Sequence, residues 1–412
     1  MLVRSWLSVA ALLLVSACTY GGGGATPALI TGAPPPVLPA GPPRVALLLP
    51  LTGPKADIGA SMLKAAQLAL STPGSPILDI QDTGGDPARA GQAAQAAVAA
   101  GDRIILGPLT AEETLAVGAV AAPASVAVLA FTSDPAAASP GVWTLGLTPG
   151  QQMRRLVAAA RDDGRQHIAA ILPPGALGDA LQSALSTAVS DAGMDPPEVQ
   201  RTDGSFASFT DALKTVSNYE ARRGDLAARI KALREDTDPS AHQKAAELAA
   251  QPVQPPPFDA LVIAESGDTL VQAADILPFY DVTTPQVRVL GPALWAQQSG
   301  RLGKLSGAWY AGLDPSSRQE LVLAYQTKYG VPPTPFADYA FDAAAIARLL
   351  ASENDFSTSA LTRSEGFTGV DGALALLPDG HVRRALAVWQ IDSAGGAHIV
   401  GPAPQDVSQP GS

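Results

Sequence analysis

The chain has 412 residues with a formal net charge of −11, and 47% of them are hydrophobic although only 5% are aromatic. This length suits two lobes and a tether better than one small domain, and the core must be built mainly from Ala, Leu and Val. The acidic balance argues against a nucleic-acid partner, because phosphate binding requires clustered Lys and Arg.

Residues 1–17 have the pattern of a secretory signal peptide. Arg4 supplies the positive charge, residues 6–15 form an apolar run too short to span a bilayer, and small residues follow. Residues 15–17, Val-Ser-Ala, together with Cys18 resemble a bacterial lipobox, and Cys18 is the only cysteine of the chain. We expect Cys18 to be lipidated and to anchor the protein to a membrane; the alternative is a free thiol beside a cleavage site.

Residues 18–43 form a Gly/Pro-rich tether. Glycines occupy positions 21–24 and prolines positions 34–36, a composition typical of flexible and then extended chain without a packed core. Thr19 stands where many enterobacterial lipoproteins retained at the inner membrane have Asp. We therefore expect a periplasmic protein held on the outer membrane, with its globular part lifted off the bilayer by this spacer.

Short β-branched or leucine-rich runs alternate with helical periods from Arg44 onward, which predicts parallel sheets with crossover helices. In the predicted first lobe, residues 44–148, the strands are 45–50, 77–82, 104–107 and 126–130. The first helix of this lobe contains Met62 to Ala69, and the other two are 87–100 and 111–121. In the predicted second lobe, residues 149–313, the helices are 151–163, 178–192 and 269–277, and the strands are 168–172, 260–264 and 287–290. The fold class is α/β, with two doubly wound parallel-sheet lobes joined by a hinge.

Two helices and a hairpin are predicted after the second lobe. The helices are 317–329 and 339–352, and the hairpin strands are 373–377 and 384–391. We expect residues 314–370 to return to the first lobe and residues 371–392 to close the hinge. Residues 393–412 are expected to be a flexible tail.

Residues 217–257 do not fit the alternation and are predicted to be an insertion. They are charge-rich and helical in period, with Tyr219, Leu226, Ile230 and Leu233 at helical spacing, and they end in three prolines. One interpretation is a solvated helical hairpin, and the other is an exposed docking element for a protein partner.

The stretch from Val45 to Pro54, VALLLPLTGP, resembles the opening of type I periplasmic binding proteins of the Leu/Ile/Val-binding group. The resemblance extends over residues 44–392. It is carried further by Asp82-Thr83, Gly107-Pro108-Leu109, Thr132-Ser133-Asp134-Pro135, Tyr325 to Gly330, Tyr339-Ala-Phe-Asp342 and Phe367 to Gly372. It implies a two-lobed binding protein with its ligand cleft between the lobes.

A narrower resemblance lies in Leu49-Pro50-Leu51, in Gly107-Pro108-Leu109 and especially in Leu172 to Asp179, LPPGALGD. These stretches are similar to the penicillin-binding protein activator lipoproteins. That resemblance implies an outer-membrane lipoprotein that stimulates a peptidoglycan synthase.

The resemblance also assigns candidate cleft residues. In the amino-acid binders of the family, hydroxyls and helix N-termini hold the ligand carboxylate, and an acid of the second lobe holds its ammonium. Three of the family's contacts are missing: Ala111 stands where a serine is common, Pro174-Gly175 replaces a Tyr-Gly turn and so lacks the aromatic side chain, and Ala293 stands where the acid is expected. Glu265 is the candidate that could replace the missing acid and hold a ligand ammonium. The alternative is that Glu265 is simply an exposed carboxylate at the end of a strand. The candidates are Thr52, Asp82, Thr83, Thr110, Thr132, Ser133, Trp143, Glu265 and Trp295, the two tryptophans having core packing as their alternative.

No catalytic residue, metal site or cofactor is predicted. Ser61-Met-Leu-Lys64 fits a Ser-x-x-Lys pattern, but the Lys-Thr-Gly partner that penicillin-binding enzymes need is absent, and helix amphipathicity explains the spacing. Asp79, Asp82 and Asp86 are close enough to suggest calcium, but the intervening Gly84-Gly85 favours a turn. The histidines are scattered: His167, His242, His381 and His398.

We therefore predict a non-catalytic lipoprotein that regulates peptidoglycan synthesis as a penicillin-binding protein activator, with a peptidoglycan synthase as its partner. The alternative is a substrate-binding lipoprotein of an ABC importer, with a small-molecule ligand and an ABC permease as its partners.

Overall fold

The computed structural model describes residues 41–250, 254–316, 318–405 and 407. The predicted signal peptide, the lipobox with Cys18 and nearly all of the tether lie outside the described residues. No helix within the described ranges is both long enough and apolar enough to cross a membrane.

The first lobe is built on a parallel five-stranded sheet in the order β2-β1-β3-β4-β5. Its strands are β1 (Arg44–Leu49), β2 (Ile77–Asp82), β3 (Ile104–Leu106), β4 (Ala127–Ala130) and β5 (Val142–Thr144). Each neighbouring pair runs parallel. β5 was not predicted from the sequence.

Helices cover both faces of this sheet. They are α1 (Ala56–Ala69), α2 (Pro87–Ala100) and α3 (Ala111–Ala121). The side chains of Val45 and Leu47 alternate with those of Ala46 and Leu48, and the two sets belong to separate buried clusters. Such burial on both faces explains the unbroken apolar run of β1 in the sequence.

The second lobe is built on a seven-stranded sheet in the order β15-β14-β10-β9-β8-β6-β7. The strands from the middle of the chain are β6 (Ile168–Leu172), β7 (Glu198–Arg201), β8 (Ala260–Ile263), β9 (Arg288–Gly291) and β10 (Trp309–Gly312), all parallel. Its helices are α4 (Pro149–Asp162), α5 (Gly175–Asp191), α6 (Phe206–Val216), α7 (Asp225–Glu235), α8 (Pro239–Ala249) and α9 (Gly267–Ile276).

The charged segment predicted as an insertion is helical. A π-helical turn, Glu220–Gly224, leads into α7, and α7 and α8 pack together as a hairpin. Arg222 and Arg223 both form ion pairs with Asp281, which fastens the base of the hairpin to the lobe.

The last part of the chain returns to both lobes. Its helices are α10 (Arg318–Tyr329), α11 (Ala337–Glu353) and α12 (Thr358–Leu361), and its strands are β11 (Phe367–Gly369), β12 (Gly372–Leu376), β13 (Val382–Arg384), β14 (Ala387–Ile391) and β15 (Ala397–Gly401). α11 packs against α1 of the first lobe. β11, β12 and β13 form a small antiparallel sheet.

Two predictions about this region were wrong. The second strand of the expected hairpin, 384–391, is divided: β13 pairs with β12, whereas β14 joins β10 in the second lobe. The expected flexible tail contains β15, which pairs antiparallel with β14. Residues 385 and 386 connect β13 in one lobe to β14 in the other. Hydrophobic alternation predicts that a segment is a strand but not which strand it pairs with, so the sequence could not show this division.

The chain passes between the lobes three times, which defines a hinge. The passages lie between β5 and α4, between β10 and α10, and between β13 and β14. Gln151 of α4 donates a hydrogen bond from Nε2 to the carbonyl of Val382, 2.7 Å away, so neighbouring passages are tied together.

Candidate ligand cleft

A cavity of about 720 Å³ lies between the two lobes. The loops at the carboxyl ends of β3 and β4 line one side, and the N-terminal turn of α5 and the loop after β9 line the other. Ligands of open parallel α/β sheets bind at such carboxyl ends. The volume is in the range of small-molecule sites.

Three of the predicted cleft residues line this cavity: Thr110, Thr132 and Ser133. Thr110 is the N-cap of α3, and its hydroxyl donates to Glu113 Oε2, 2.7 Å away, in a capping box. Thr132 Oγ1 accepts the backbone N–H of Asp134 at 3.1 Å. Ser133 is exposed, and its side chain makes no hydrogen bond to another described residue. Ser133 is thus the hydroxyl of this group that remains available to a ligand.

The walls of the cavity are mainly apolar. Leu177 of α5 and Leu294, after β9, are 43% and 41% exposed, and Phe336, before α11, is 41% exposed. These three side chains come from both lobes and line one space. Large apolar side chains that stay this exposed around one cavity indicate a surface that a ligand or partner covers.

The polar groups of the cavity are few and mostly engaged within the protein. Gln152 donates from Nε2 to the carbonyl of Thr148 and accepts the N–H of Ala293 with Oε1, 2.8 Å away. Asp134 is exposed and caps a helical turn by accepting the N–H of Ala136. Lys55 is exposed at the rim, and its ammonium forms no hydrogen bond or ion pair with any described residue.

Thr52, Asp82 and Thr83 do not line the cavity; they build a turn beside it. Asp82 accepts the N–H groups of Leu51, Thr52 and Gly84, the Thr52 hydroxyl at 2.7 Å and the Arg89 guanidinium at 2.8 Å. Burial raises the pKa of Asp82, but these hydrogen bonds outweigh it and hold the pKa well below its ordinary value. This carboxylate organises the turn that follows β1.

Glu265 and Trp295 lie behind the cleft, in the core of the second lobe. Glu265 is 5% exposed, and its Oε1 accepts the hydroxyl of Thr202 at 2.6 Å. Trp295 is fully buried and donates from Nε1 to the backbone carbonyl of Glu265. Gly291 lies directly against the indole: a Cβ there would come within 2.2 Å of it.

Trp143 is also a core residue. It is fully buried in the first lobe, and its Nε1 donates to the carbonyl of Leu377 at 2.7 Å. Both Trp143 and Trp295 therefore pack in the core, which was the alternative to a place in the cleft.

Ser61 and Lys64 do not form a catalytic pair. Ser61 is buried, and its hydroxyl accepts the N–H of Thr334 at 3.0 Å, while the Lys64 ammonium lies over the ring of Tyr329. No group of three or more His, Cys, Asp or Glu side chains in the described part of the chain could hold a metal ion.

The sequence reasoning missed the apolar lining. Leu177 lies in the LPPGALGD stretch, whose resemblance to the activator lipoproteins does not predict a cavity lining. Leu294 directly follows Ala293, and a single leucine beside that position gives no signal of its own. Phe336 precedes α11 in a proline-containing stretch, a position that gives no periodic signal. The only sequence signal for this lining was that large apolar side chains occur in turns, where small or polar residues are usual.

Comparisons with known proteins agree with this architecture. A family model described as periplasmic binding protein matches residues 42–397. A search of curated protein sequences found no significant match. Many solved structures match the fold. One is a putative branched-chain amino acid ABC transporter protein from Rhodospirillum rubrum, with a TM-score of 0.65 and 20% identity over 87% of this chain and 99% of that one.

The C-domain of LpoA from Haemophilus influenzae, described as a regulator of PBP1A, is also similar. Its TM-score is 0.58, with 17% identity over 87% of this chain and 99% of that domain. Full-length LpoA from the same organism gives a TM-score of 0.60 and 17% identity, and the match covers 88% of this chain and 59% of LpoA. These structures are binding and regulatory proteins, and at such identities they establish the fold alone.

Proposed function

The chain belongs to the periplasmic binding protein family, and from that premise we propose that it is a non-catalytic envelope lipoprotein that activates a penicillin-binding protein. The observation that carries the proposal is the cleft: on its second-lobe side no carboxylate of a described residue lines it, because Glu265 is turned to Thr202 and Ala293 offers no acid. Leaving a ligand ammonium buried and unpaired would cost several kcal/mol. An amino acid is therefore a poor occupant, and a protein partner becomes the better candidate.

The helical hairpin of α7 and α8 is the partner surface we propose. α7 has no buried residue, although Leu226, Ile230 and Leu233 form a half-buried stripe along it. A core-facing helix buries such a stripe. The hairpin therefore adds surface to the lobe without contributing much to its core, as a docking element does.

The experiment uses the purified full chain and peptidoglycan synthases from the same organism. We expect one synthase to be retained by the immobilised chain and its glycan polymerisation rate to rise in the presence of the chain. Failure of every synthase both to bind and to respond would refute the proposal.

A matched variant tests the surface. Residues 225–249 are replaced by a short Gly/Ser linker, which keeps Arg222 and Arg223 on Asp281. We expect loss of synthase binding with unchanged circular dichroism per remaining helical residue and nearly unchanged thermal stability. Retained binding would exclude the hairpin as the docking element and leave the activator function to another surface.

The second candidate is a substrate-binding lipoprotein of an ABC importer, and the open cavity with the free Ser133 hydroxyl favours it. A thermal-shift screen of the full chain against amino acids, short peptides and muropeptide fragments separates the two. A ligand at about 100 times its Kd adds about 2.7 kcal/mol of stability. A clear shift with a free amino acid would support transport, and no shift would favour the protein partner.

The proposed location is the outer membrane, through acyl chains on Cys18. The lipobox resemblance, Thr19 and the composition of residues 18–43 support it.

A further inference from the structure

A cluster of charged side chains, buried except for the partly exposed Arg318, lies where the three inter-lobe passages meet the first lobe. It consists of Arg318, Asp338, Asp342, Asp371 and Arg384, and we name it the hinge cluster. The three carboxylates are 1–2% exposed and Arg384 is 2% exposed. Charges this deeply buried are normally paired, because desolvation disfavours each of them.

The pairing within the hinge cluster is incomplete. Arg318 Nε lies 2.5 Å from Asp338 Oδ2, and Arg384 Nη1 lies 3.7 Å from Asp342 Oδ2. Asp371 forms no ion pair with a described residue. Three carboxylates thus face two guanidinium groups, and the fully ionised cluster would carry one excess buried negative charge.

Unpartnered atoms mark the same imbalance. Asp338 Oδ1, Asp342 Oδ2 and Asp371 Oδ2 are buried without a hydrogen-bond partner among the described residues, as are Nε and Nη1 of Arg384. Burial, together with the charge of Asp338, raises the pKa of Asp371 to about 7 despite the opposing effect of Arg384. Burial also raises the pKa of Asp342 to about 6. Burial raises the pKa of Asp338 too, although Arg318 opposes it.

The hinge cluster touches every passage between the lobes. Arg384 is the last residue of β13, and its Nη2 donates to the carbonyl of Leu145 in the passage from β5 to α4. Arg318 is the first residue of α10, beyond the passage from β10. Tyr339 also faces the cluster: its ring lies 5.6 Å from the Arg384 guanidinium, and it lines the cleft. Burial raises the pKa of Tyr339 above its ordinary value, so it stays neutral.

We propose that the hinge cluster is a proton-operated latch, in which one proton shared among its carboxylates holds the hinge in the observed arrangement and loss of that proton loosens it. With the proton bound, two carboxylates balance two guanidinium groups. Without it, the excess charge must reach water, and the groups that can move toward water are those at the ends of the passages. The inference goes beyond the proposed function and holds for either kind of occupant or partner.

The direction of the pH dependence follows from the raised pKa values. A carboxyl whose folded-state pKa exceeds its unfolded value binds its proton more tightly in the folded state. Its stabilising contribution is therefore complete below the unfolded value of 3.8 and is lost as pH rises through 6 to 7. The observed arrangement is favoured in mild acid and weakened above neutral pH.

The first test compares the full chain with Asp371→Asn, whose amide is neutral at every pH. Chemical unfolding is measured between pH 5 and pH 8.5. Because one proton is linked, the unfolding equilibrium constant of the unmodified chain should rise about tenfold per pH unit relative to that of the variant until the folded-state titration is complete. The exposed carboxylate variant Asp191→Asn should follow the unmodified chain. An equal pH response in Asp371→Asn and the unmodified chain would overturn the proposal.

The second test measures the hinge directly. Spin labels are placed on Ala60→Cys in α1 and Ser183→Cys in α5, both exposed, in a Cys18→Ser background, and the inter-label distance is measured by pulsed electron resonance. We expect a narrow distribution at pH 5.5 that broadens or shifts at pH 8.5, and no change when Asp371→Asn is added. A distribution independent of pH would overturn the latch. Should Asp371→Asn fail to fold, Asp342→Asn takes its place, and the unmodified pair of labels still decides.

Discussion

The hydrogen bond between Glu265 and Thr202 decides whether Glu265 is available to a ligand. Both side chains are nearly buried, at 5% and 6% exposure, and Thr202 Oγ1 donates to Glu265 Oε1 at 2.6 Å. A hydrogen bond to a charged group contributes about 1.5–3 kcal/mol. We therefore predict a coupling free energy of about 2 kcal/mol between the two side chains.

A double-mutant cycle measures this coupling. The free energies of unfolding of Glu265→Ala, Thr202→Val and the double variant are obtained from urea titrations, and the coupling is the deviation from additivity. Glu265→Gln is the matched control, because its amide oxygen still accepts the hydroxyl; we expect it to lose about 1 kcal/mol. A coupling below about 0.5 kcal/mol would contradict the geometry.

The same variants test the role in binding. If Glu265 serves the lobe and not a ligand, leucine should shift the melting temperature of Glu265→Gln and of the unmodified chain equally, or shift neither. If leucine stabilises the unmodified chain but not Glu265→Gln, the Glu265 carboxylate contacts the ligand, and the reasoning is refuted.

Three further predictions concern single residues. Trp143→Phe should lower the unfolding free energy by about 1–3 kcal/mol in urea titrations, because the indole hydrogen bond to the carbonyl of Leu377 is lost and the smaller ring leaves a cavity in the core, although that carbonyl keeps the N–H of Gly380; a loss below about 0.5 kcal/mol would contradict this. Asp82→Asn should destabilise the chain at pH 7 and flatten its acid unfolding curve, because a carboxylate with a lowered pKa stabilises above pH 3.8 and loses that contribution as pH falls; the same effect from Asp191→Asn, which has no such contacts, would refute it. Cys18→Ser should move the protein from the outer-membrane fraction to the periplasmic fraction in cell fractionation, and an unchanged membrane fraction would exclude lipid anchoring there.

Local signals predicted the elements that depend on local chemistry. α2 lies at residues 87–100 as predicted, because Asp86 caps it, proline occupies its first position and Gly101 ends it with a φ of 78°. α3 and β6 also have their predicted bounds, since a capping box starts the helix and a continuous apolar run marks the buried strand. The α/β class and the parallel sheets followed from the alternation of such segments.

The candidate site was only partly accessible to sequence reasoning. Thr110, Thr132 and Ser133 line the cavity because they follow parallel strands, a placement that the strand pattern implies. Trp143, Glu265 and Trp295 are buried away from it, and the direction of a side chain at the end of a strand depends on packing that no local pattern contains. The roles of all these residues in binding, including Ser133 with its free hydroxyl, stay predictions.

The sequence alone determined the α/β class, the parallel type of the two main sheets and the bounds of α2 and α3, because these follow from side-chain periodicity, capping and turn chemistry within about a dozen residues. The tertiary structure alone decided that β14 leaves its expected hairpin for the second lobe, that β15 extends that sheet, and that Asp338, Asp371 and Arg384 meet at the hinge. The physical reason is that these contacts join segments whose local sequence is compatible with several partners. The partner that each segment takes is the one that buries the most apolar surface of the whole chain and leaves the fewest buried charges without a counter-charge.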